Sequence, residues 1–221
     1  MIPILITIDG PAGSGKSSAA RAVAEGLGIV NLNTGAAYRA VALLALREGV
    51  DLEDGEALAE IAGRVFLKVE GVMLDGEPVP ELDLRTSEVS AAASKVSVHA
   101  EVRQVLLSVQ RDAARRARED GGAVVEGRDI GTVVLPDAEL KIFLSASSEE
   151  RARRRAVQSG RESELDRIHK AMSLRDRQDT ERQTSPLRPA PDAVVLDTTT
   201  LDLEEVVARI LDLAQDLRRG P

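Results

Sequence analysis

An apolar run, "ILITI" at residues 4–8, leads directly into "DGPAGSGKSS", in which residues 10–17 satisfy the spacing G-x-x-x-x-G-K-[ST]. No other feature restricts the fold as much. A short buried strand, a glycine-rich turn and an amphipathic helix beginning at the lysine belong together in α/β sheets whose parallel strands are wrapped by helices. Gly10, Gly13 and Gly15 let the backbone turn tightly enough for several N–H groups to converge on one anion, and the helix that follows adds its positive end. Lys16 then reaches the β- and γ-phosphates of a nucleotide, and Ser17 offers its hydroxyl to a magnesium ion. The motif by itself does not choose among ATPases, GTPases and kinases.

The rest of the chain repeats the same alternation. "IVNL" at 29–32, "AVVEG" at 123–127, "LKIFL" at 140–144 and "AVVLD" at 193–197 read as further short strands, which predicts five in all. Helices are expected over about 16–27, 36–48, 100–119, 148–158 and 163–178. A last helix carries the stripe Leu203, Val206, Val207, Ile210, Leu211, Ala214 and Leu217, opened by the capping pair Asp202 and Glu205, with Arg218 and Arg219 near its end and Gly220 beyond. Residues 64–89 break the pattern and read as a small antiparallel insertion, with turns at Glu70-Gly71 and Asp75-Gly76.

Length and composition narrow the partners. The 221 residues suit one compact domain. A net charge of -8 supplies no global positive field for nucleic acid or anionic lipid, so any anion site is built locally. Tyr38, Phe66 and Phe143 are the only aromatics, too few to stack successive bases. The chain has no cysteine, which excludes disulfides and thiolate metal sites. Neither a signal peptide nor a membrane span is read in it, so the expectation is a cytoplasmic, monomeric protein.

Three other segments concentrate polar residues where α/β sheets bind ligands. "NTGAAYR" gathers Thr34, Gly35, Tyr38 and Arg39 at a second helix start; taken alone, Thr34 reads as a cap and Arg39 as an exposed helix arginine. "VVEGRDIGTVV" puts Glu126, Arg128 and Asp129 just past a strand's carboxyl end. "LRDRQDTERQTSPL" carries Arg175, Asp179 and Arg182, which as a plain sequence also fits a solvated charged helix.

These segments, with "KIFLSASSEERARRR" and "VVLDTTTL", closely resemble the bacterial cytidylate kinases nearly end to end. The resemblance implies a P-loop nucleoside monophosphate kinase fold: a five-stranded parallel sheet flanked by helices, one domain over 1–221, a monophosphate-binding region with the β insertion at about 33–98, and a short lid at about 148–166. It implies transfer of the γ-phosphoryl group of ATP to CMP or dCMP, with Mg2+. Gly10, Pro11, Ala12, Gly13, Ser14, Gly15, Lys16, Ser17 and Ser18 would form the ATP loop. Arg39, Arg128 and Arg182 match arginines that grip the acceptor phosphate, with Thr34 and Tyr38 in the same pocket. Ser94 and Arg103 match residues that recognise cytosine, Asp129 lies beside the base, and Arg175 with Asp179 matches the sugar contacts. Arg151 and Arg155, four apart on one helix, are the expected lid arginines, with Arg154 as competitor.

The chemistry suits those residue types. A phosphate oxygen of CMP, its second pKa about 6, is already mostly dianionic at neutral pH; no general base is needed, and His99 and His169 read as ordinary helix residues. In-line placement and charge cancellation are what the reaction demands. Two positions depart from the family's pattern: Asn33 where aspartate is frequent, and Gln178 where some relatives carry arginine. Other acceptors, such as UMP or shikimate, and a non-catalytic ATP-binding regulator are the competing readings.

Overall fold

A computed structural model describes residues 3–68 and 71–219. The chain divides into two compact units, residues 1–31 with 123–221, and residues 32–122. The first is built on β1 (Ile4–Asp9), α1 (Lys16–Leu27) and the start of β2 (Val30–Asn33), within which the chain passes to the second unit. It resumes with β6 (Gly122–Glu126), a π-helical turn (Ile130–Val134), β7 (Leu140–Ser145), α7 (Ser148–Ser159), α8 (Leu165–Glu181), β8 (Val194–Asp197) and α9 (Leu203–Arg219). The five strands form one parallel sheet in the order β2-β6-β1-β7-β8. β1 and β7 pair from Ile6↔Leu140 to Asp9↔Phe143.

The sheet's central strands are buried on both faces, which is why they read as unbroken apolar runs. Ile6, Ile8, Ile142, Leu144, Val23 and Ile210 form the heart of this core, each burial contributing about 1.5–3 kcal/mol before entropy is counted. The capping pair expected at 202 and 205 is present: the Glu205 amide donates to Asp202 Oδ1 at 2.8 Å, and the Asp202 amide to Glu205 Oε2 at 3.0 Å. Gly220, expected beyond this helix, lies outside the described residues. Among the described residues no helix is long and apolar enough to cross a membrane.

The second unit holds α2 (Gly35–Glu48), α3 (Gly55–Ala62), the antiparallel β3 (Val65–Lys68), β4 (Gly71–Leu74) and β5 (Glu77–Pro78), then α4 (Glu81–Leu84), α5 (Ser87–Val96) and α6 (Ala100–Glu119). The insertion is therefore stranded only to Pro78; residues 81–84 and 87–96 are helical, a correction to the expected stranded stretch through 89. Thr86 caps α5 by accepting from the Val89 amide at 3.2 Å. The β4–β5 turn is as predicted, with Asp75 at φ 51 and Gly76 at φ 87, the paired left-handed geometry of a two-residue hairpin. Of the turn expected at Glu70-Gly71, Glu70 lies outside the described residues.

Candidate functional site

β1 ends where the glycine-rich loop must begin. A Cβ on Gly10 would sit 2.1 Å from the Leu144 carbonyl oxygen of β7, so only glycine passes this close to the neighbouring strand. Gly13 and Gly15 take φ of 75 and 90, left-handed values that cost other residues strain. Gly15 is the N-cap of α1 and offers no side-chain acceptor, so the amides of the first helical turn are not claimed by a cap and suit an anion. Lys16 is 6% exposed, and its ammonium donates to the Pro11 carbonyl at 2.6 Å. Burial lowers its pKa well below the ordinary lysine value; Arg128 pushes the same way, Glu126 and Asp9 oppose, and Arg175 again lowers it. These groups share one electrostatic neighbourhood.

The carboxyl end of β6 supplies the opposing charges. Ser17 Oγ donates to Glu126 Oε2 at 2.6 Å, so the loop hydroxyl and this carboxylate act as a pair. Past Glu126 the chain enters the π turn. Arg128 Nε donates to Asp179 Oδ2 at 3.0 Å, and Arg182 Nη1 to Asp179 Oδ1 at 3.5 Å. Arg182 also lies 3.7 Å from Asp129 Oδ1 and donates through Nε to the Ser185 carbonyl at 2.6 Å. Asp179 and Asp129, both 6% exposed, thus hold two guanidiniums in fixed orientations. The helix that reads as solvated is half-inserted: Asp179 is buried and Arg175 half-buried, while Gln178 is exposed.

α7 and α8 bring more arginine to the loop. Arg151, 8% exposed, donates to the carbonyls of Ala12 and Ala146 at 3.0 Å each and pairs with Asp176. Arg154 Nη1 donates to Thr198 Oγ1 at 3.0 Å, and that hydroxyl lies 3.2 Å from the Ser14 carbonyl oxygen. Arg155, expected beside Arg151, is instead exposed and bonded to Gln158 of its own helix at 3.2 Å. Arg154, the competitor, is thus linked to the loop along with Arg151, and Arg155 is not.

The remaining expected residues belong to the second unit. Asn33 Oδ1, rather than Thr34, caps α2 by accepting from the Ala36 amide at 3.2 Å. Thr34 is buried at 3% exposure. Arg39 is half-buried, its guanidinium 3.4 Å from where a Cβ on Gly35 would stand. The Tyr38 ring carries the Arg103 guanidinium 5.6 Å from its centroid, within cation–π range. Arg103 also donates to the Ser97 carbonyl at 3.2 Å and is only 7% exposed. Arg103 lies within the buried face of α6, while Val105 and Val109 are half-buried. Ser94 Oγ donates to the Ser90 carbonyl of its own helix at 3.2 Å. His99, expected to be an ordinary helix residue, is instead the extended N-cap of α6, its ring 2.9 Å from the Leu52 carbonyl.

Sequence reasoning assigned no role to Asp9, Asp176 or Thr198, and named Glu126 without a function. The available signal for Glu126 was its position, a carboxylate ending a strand of a P-loop sheet; Asp9 and Thr198 gave none, because their partners are far away in the chain.

Comparison with known proteins follows the same lines. The family described as Cytidylate kinase matches residues 6–216. A cytidylate kinase of Exiguobacterium sp. is 46% identical, with 96% of this chain and 97% of that one covered. One from Desulfitobacterium hafniense is 48% identical over 96% of this chain and 92% of its own length. Among solved structures, an uncharacterized protein from Eubacterium ventriosum shares the fold at TM-score 0.55 and 13% identity, covering 96% of this chain and 99% of that one.

Proposed function

The chain belongs to the cytidylate kinase family, and on that premise we propose that it transfers the γ-phosphoryl group of ATP to CMP or dCMP, giving ADP and CDP or dCDP. The observation that carries the reading is the pair of guanidiniums, Arg128 and Arg182, held by Asp179 and Asp129, with Arg128 acting electrostatically on Lys16: positive charge fixed in this way suits a second anionic substrate beside the triphosphate. In the first unit Gly10 to Ser18 bind the donor phosphates, Arg128 and Arg182 the acceptor phosphate, and Arg175 with Asp179 the sugar. In the second unit Arg39, Thr34 and Tyr38 are assigned to the acceptor phosphate, and Arg103 and Ser94 to the base.

Phosphoryl transfer needs alignment and charge neutralisation more than proton transfer. Lys16, Arg128 and Arg182 supply positive charge already oriented by Pro11, Asp179 and Asp129, so little reorganisation is required as charge shifts from leaving to attacking oxygen. Arg151 and Arg154 close the donor side, where exclusion of water favours transfer to CMP over hydrolysis. The outward position of Arg155 argues against giving it the same task.

Among the described residues no group of three or more His, Cys, Asp or Glu gathers as a metal site. Mg2+ commonly takes one or two protein oxygens and completes its shell with phosphates and water. Ser17 and Glu126, 2.6 Å apart, are the pair that would hold it, and when bound it would offset charge on the β- and γ-phosphates. Glu126→Gln is expected to raise the Mg2+ concentration needed for half-maximal rate by roughly tenfold, the loss typical of a group supporting a metal ligand; an unchanged Mg2+ titration would remove Glu126 from this role.

Base choice gives a second prediction. Cytosine offers N3 and O2 as acceptors, and a guanidinium set on an aromatic face suits them; uracil has an N–H at the corresponding ring position and leaves buried partners unpaired. Arg103→Met, which keeps the buried stem, is expected to cut the CMP to UMP preference in kcat/KM by roughly 10–100-fold, about 1–3 kcal/mol of discrimination. Equal loss for ATP would contradict a base-reading role. The experiment for the function itself is a coupled ADP-release assay across CMP, dCMP, UMP, AMP and GMP: release with CMP and dCMP is expected, and release with another acceptor, or none, would overturn the reading.

A further inference from the structure

Asp9, the last residue of β1, is 4% exposed, and its two carboxylate oxygens are used separately. Oδ1 accepts from the Ile130 amide at 2.9 Å and Oδ2 from the Gly131 amide at 2.8 Å. Two bonds from successive amides fix both the position and the rotation of the π turn. That turn starts immediately after Arg128 and Asp129. Its far side has no slack, because a Cβ on Gly131 would come within 2.9 Å of Thr7 Oγ1. On the other flank, Asp9 is joined covalently to Gly10 of the phosphate loop. One side chain therefore ties the donor loop to the segment that carries two acceptor-side residues.

π-helical geometry is uncommon and persists where something holds it, often at functional sites. Here the hold is charge-assisted, and the burial of the charge, not the hold, costs stability. Burial pushes the Asp9 carboxyl up to about 6, although the Gly131 and Ile130 amides pull it back; Asp129 adds to the rise and Lys16 opposes it. The folded state then binds the proton more tightly than the unfolded chain, so this group's contribution to stability falls as pH rises from 3.8 to about 6. At neutral pH the ionised form is retained at a cost in stability, as expected of a charge that serves alignment.

We infer that Asp9 is a positioning residue for the acceptor side of the reaction, setting Arg128 and Asp129 against the donor loop through the π turn. The inference rests on the acceptor assignments above. The charged groups around Asp9 are Asp129 on the turn and Lys16 on α1. β6 and the residues after it contribute Glu126 and Arg128, and α8 contributes Arg175, all acting on Lys16. Lys141 of β7 is turned to the Pro136 carbonyl and the Asp192 carboxylate.

Asp9→Asn keeps the size but sets an amide NH2 against one of the two N–H donors. Steady-state kinetics should show kcat/KM for CMP lowered on the order of a hundredfold, the loss that a displacement near 1 Å produces, with KM for ATP unchanged and the melting temperature not lowered in proportion. Unchanged CMP kinetics in the folded variant, or equal loss for ATP, would overturn the inference. Should the variant fail to fold, the wild-type pH profile of kcat/KM decides. With cytidine 5′-phosphorothioate, whose phosphate group ionises at lower pH than that of CMP, the substrate's acidic limb moves. A limb remaining near 6 is then expected from the protein, and a profile that follows the acceptor entirely would reject Asp9. A wild-type protein inactive on CMP would instead defeat the functional reading and not this one alone.

Discussion

Lys16→Met should lower kcat by about 10²–10³-fold, the range for removing one preorganised donor from a transition state, while leaving the melting temperature at neutral pH unchanged or slightly higher. The two halves of this expectation have one cause. The ammonium is buried, beside Arg128 and Arg175, and its pKa is held well below the ordinary 10.5. A base whose folded pKa is depressed binds fewer protons folded than unfolded, so stability rises with pH between the folded value and 10.5. At neutral pH, well under 10.5, the buried amine is a burden on the fold whether it keeps or gives up its proton. Methionine keeps most of the packing of the stem and removes the burden; it gives up the hydrogen bond to the Pro11 carbonyl, 2.6 Å away. Calorimetry and steady-state kinetics on the same preparation measure both halves, and full turnover in a folded variant would remove Lys16 from the chemistry.

Much of the fold was legible because its signals are local. "ILITI", "LKIFL" and the α9 stripe carry their periodicity in a few adjacent residues, and the glycine-rich loop is anchored to both the strand before it and the helix after it. Only the first turn of α5, residues 87–89, falls in the stretch that reads as strands, although its start signal is present: Thr86 followed by Glu88, and then the three consecutive alanines Ala91, Ala92 and Ala93, which favour helix over sheet. Hairpin signals at 75–76 outweighed them. Arg103 shows a different limit. Its burial depends on Tyr38, 65 positions earlier in the chain, and a guanidinium is enclosed only where an aromatic face and the Ser97 carbonyl come together. Asp9 likewise reads as the end of a strand until Ile130 and Gly131 are brought to it. Residues that act through distant partners leave no pattern in a window of sequence.

Arg128→Ala should be the most damaging change on the acceptor side, because Arg128 serves two anions. Its Nε holds Asp179 at 3.0 Å, with side-chain exposures of 21% and 9%, and its assigned task is to hold the acceptor phosphate. Truncation removes a charge-assisted contact to phosphate and also leaves Asp179 with Arg182 alone, at 3.5 Å. Removing one partner of a mostly buried charge pair costs about 2–5 kcal/mol, seen as an appreciable drop in melting temperature, and loss of a preorganised contact to the phosphate lowers kcat/KM for CMP on the order of 10²–10³-fold. A second substitution separates the two effects. Arg128→Ala with Asp179→Asn removes the uncompensated carboxylate, so stability should largely return, because replacing both partners is far less costly than stranding one. Activity should not return, since nothing then replaces the guanidinium on the phosphate. Recovery of both together would mean that Arg128 acts only by neutralising Asp179, and the phosphate contact would have to be assigned to Arg182 or Arg39.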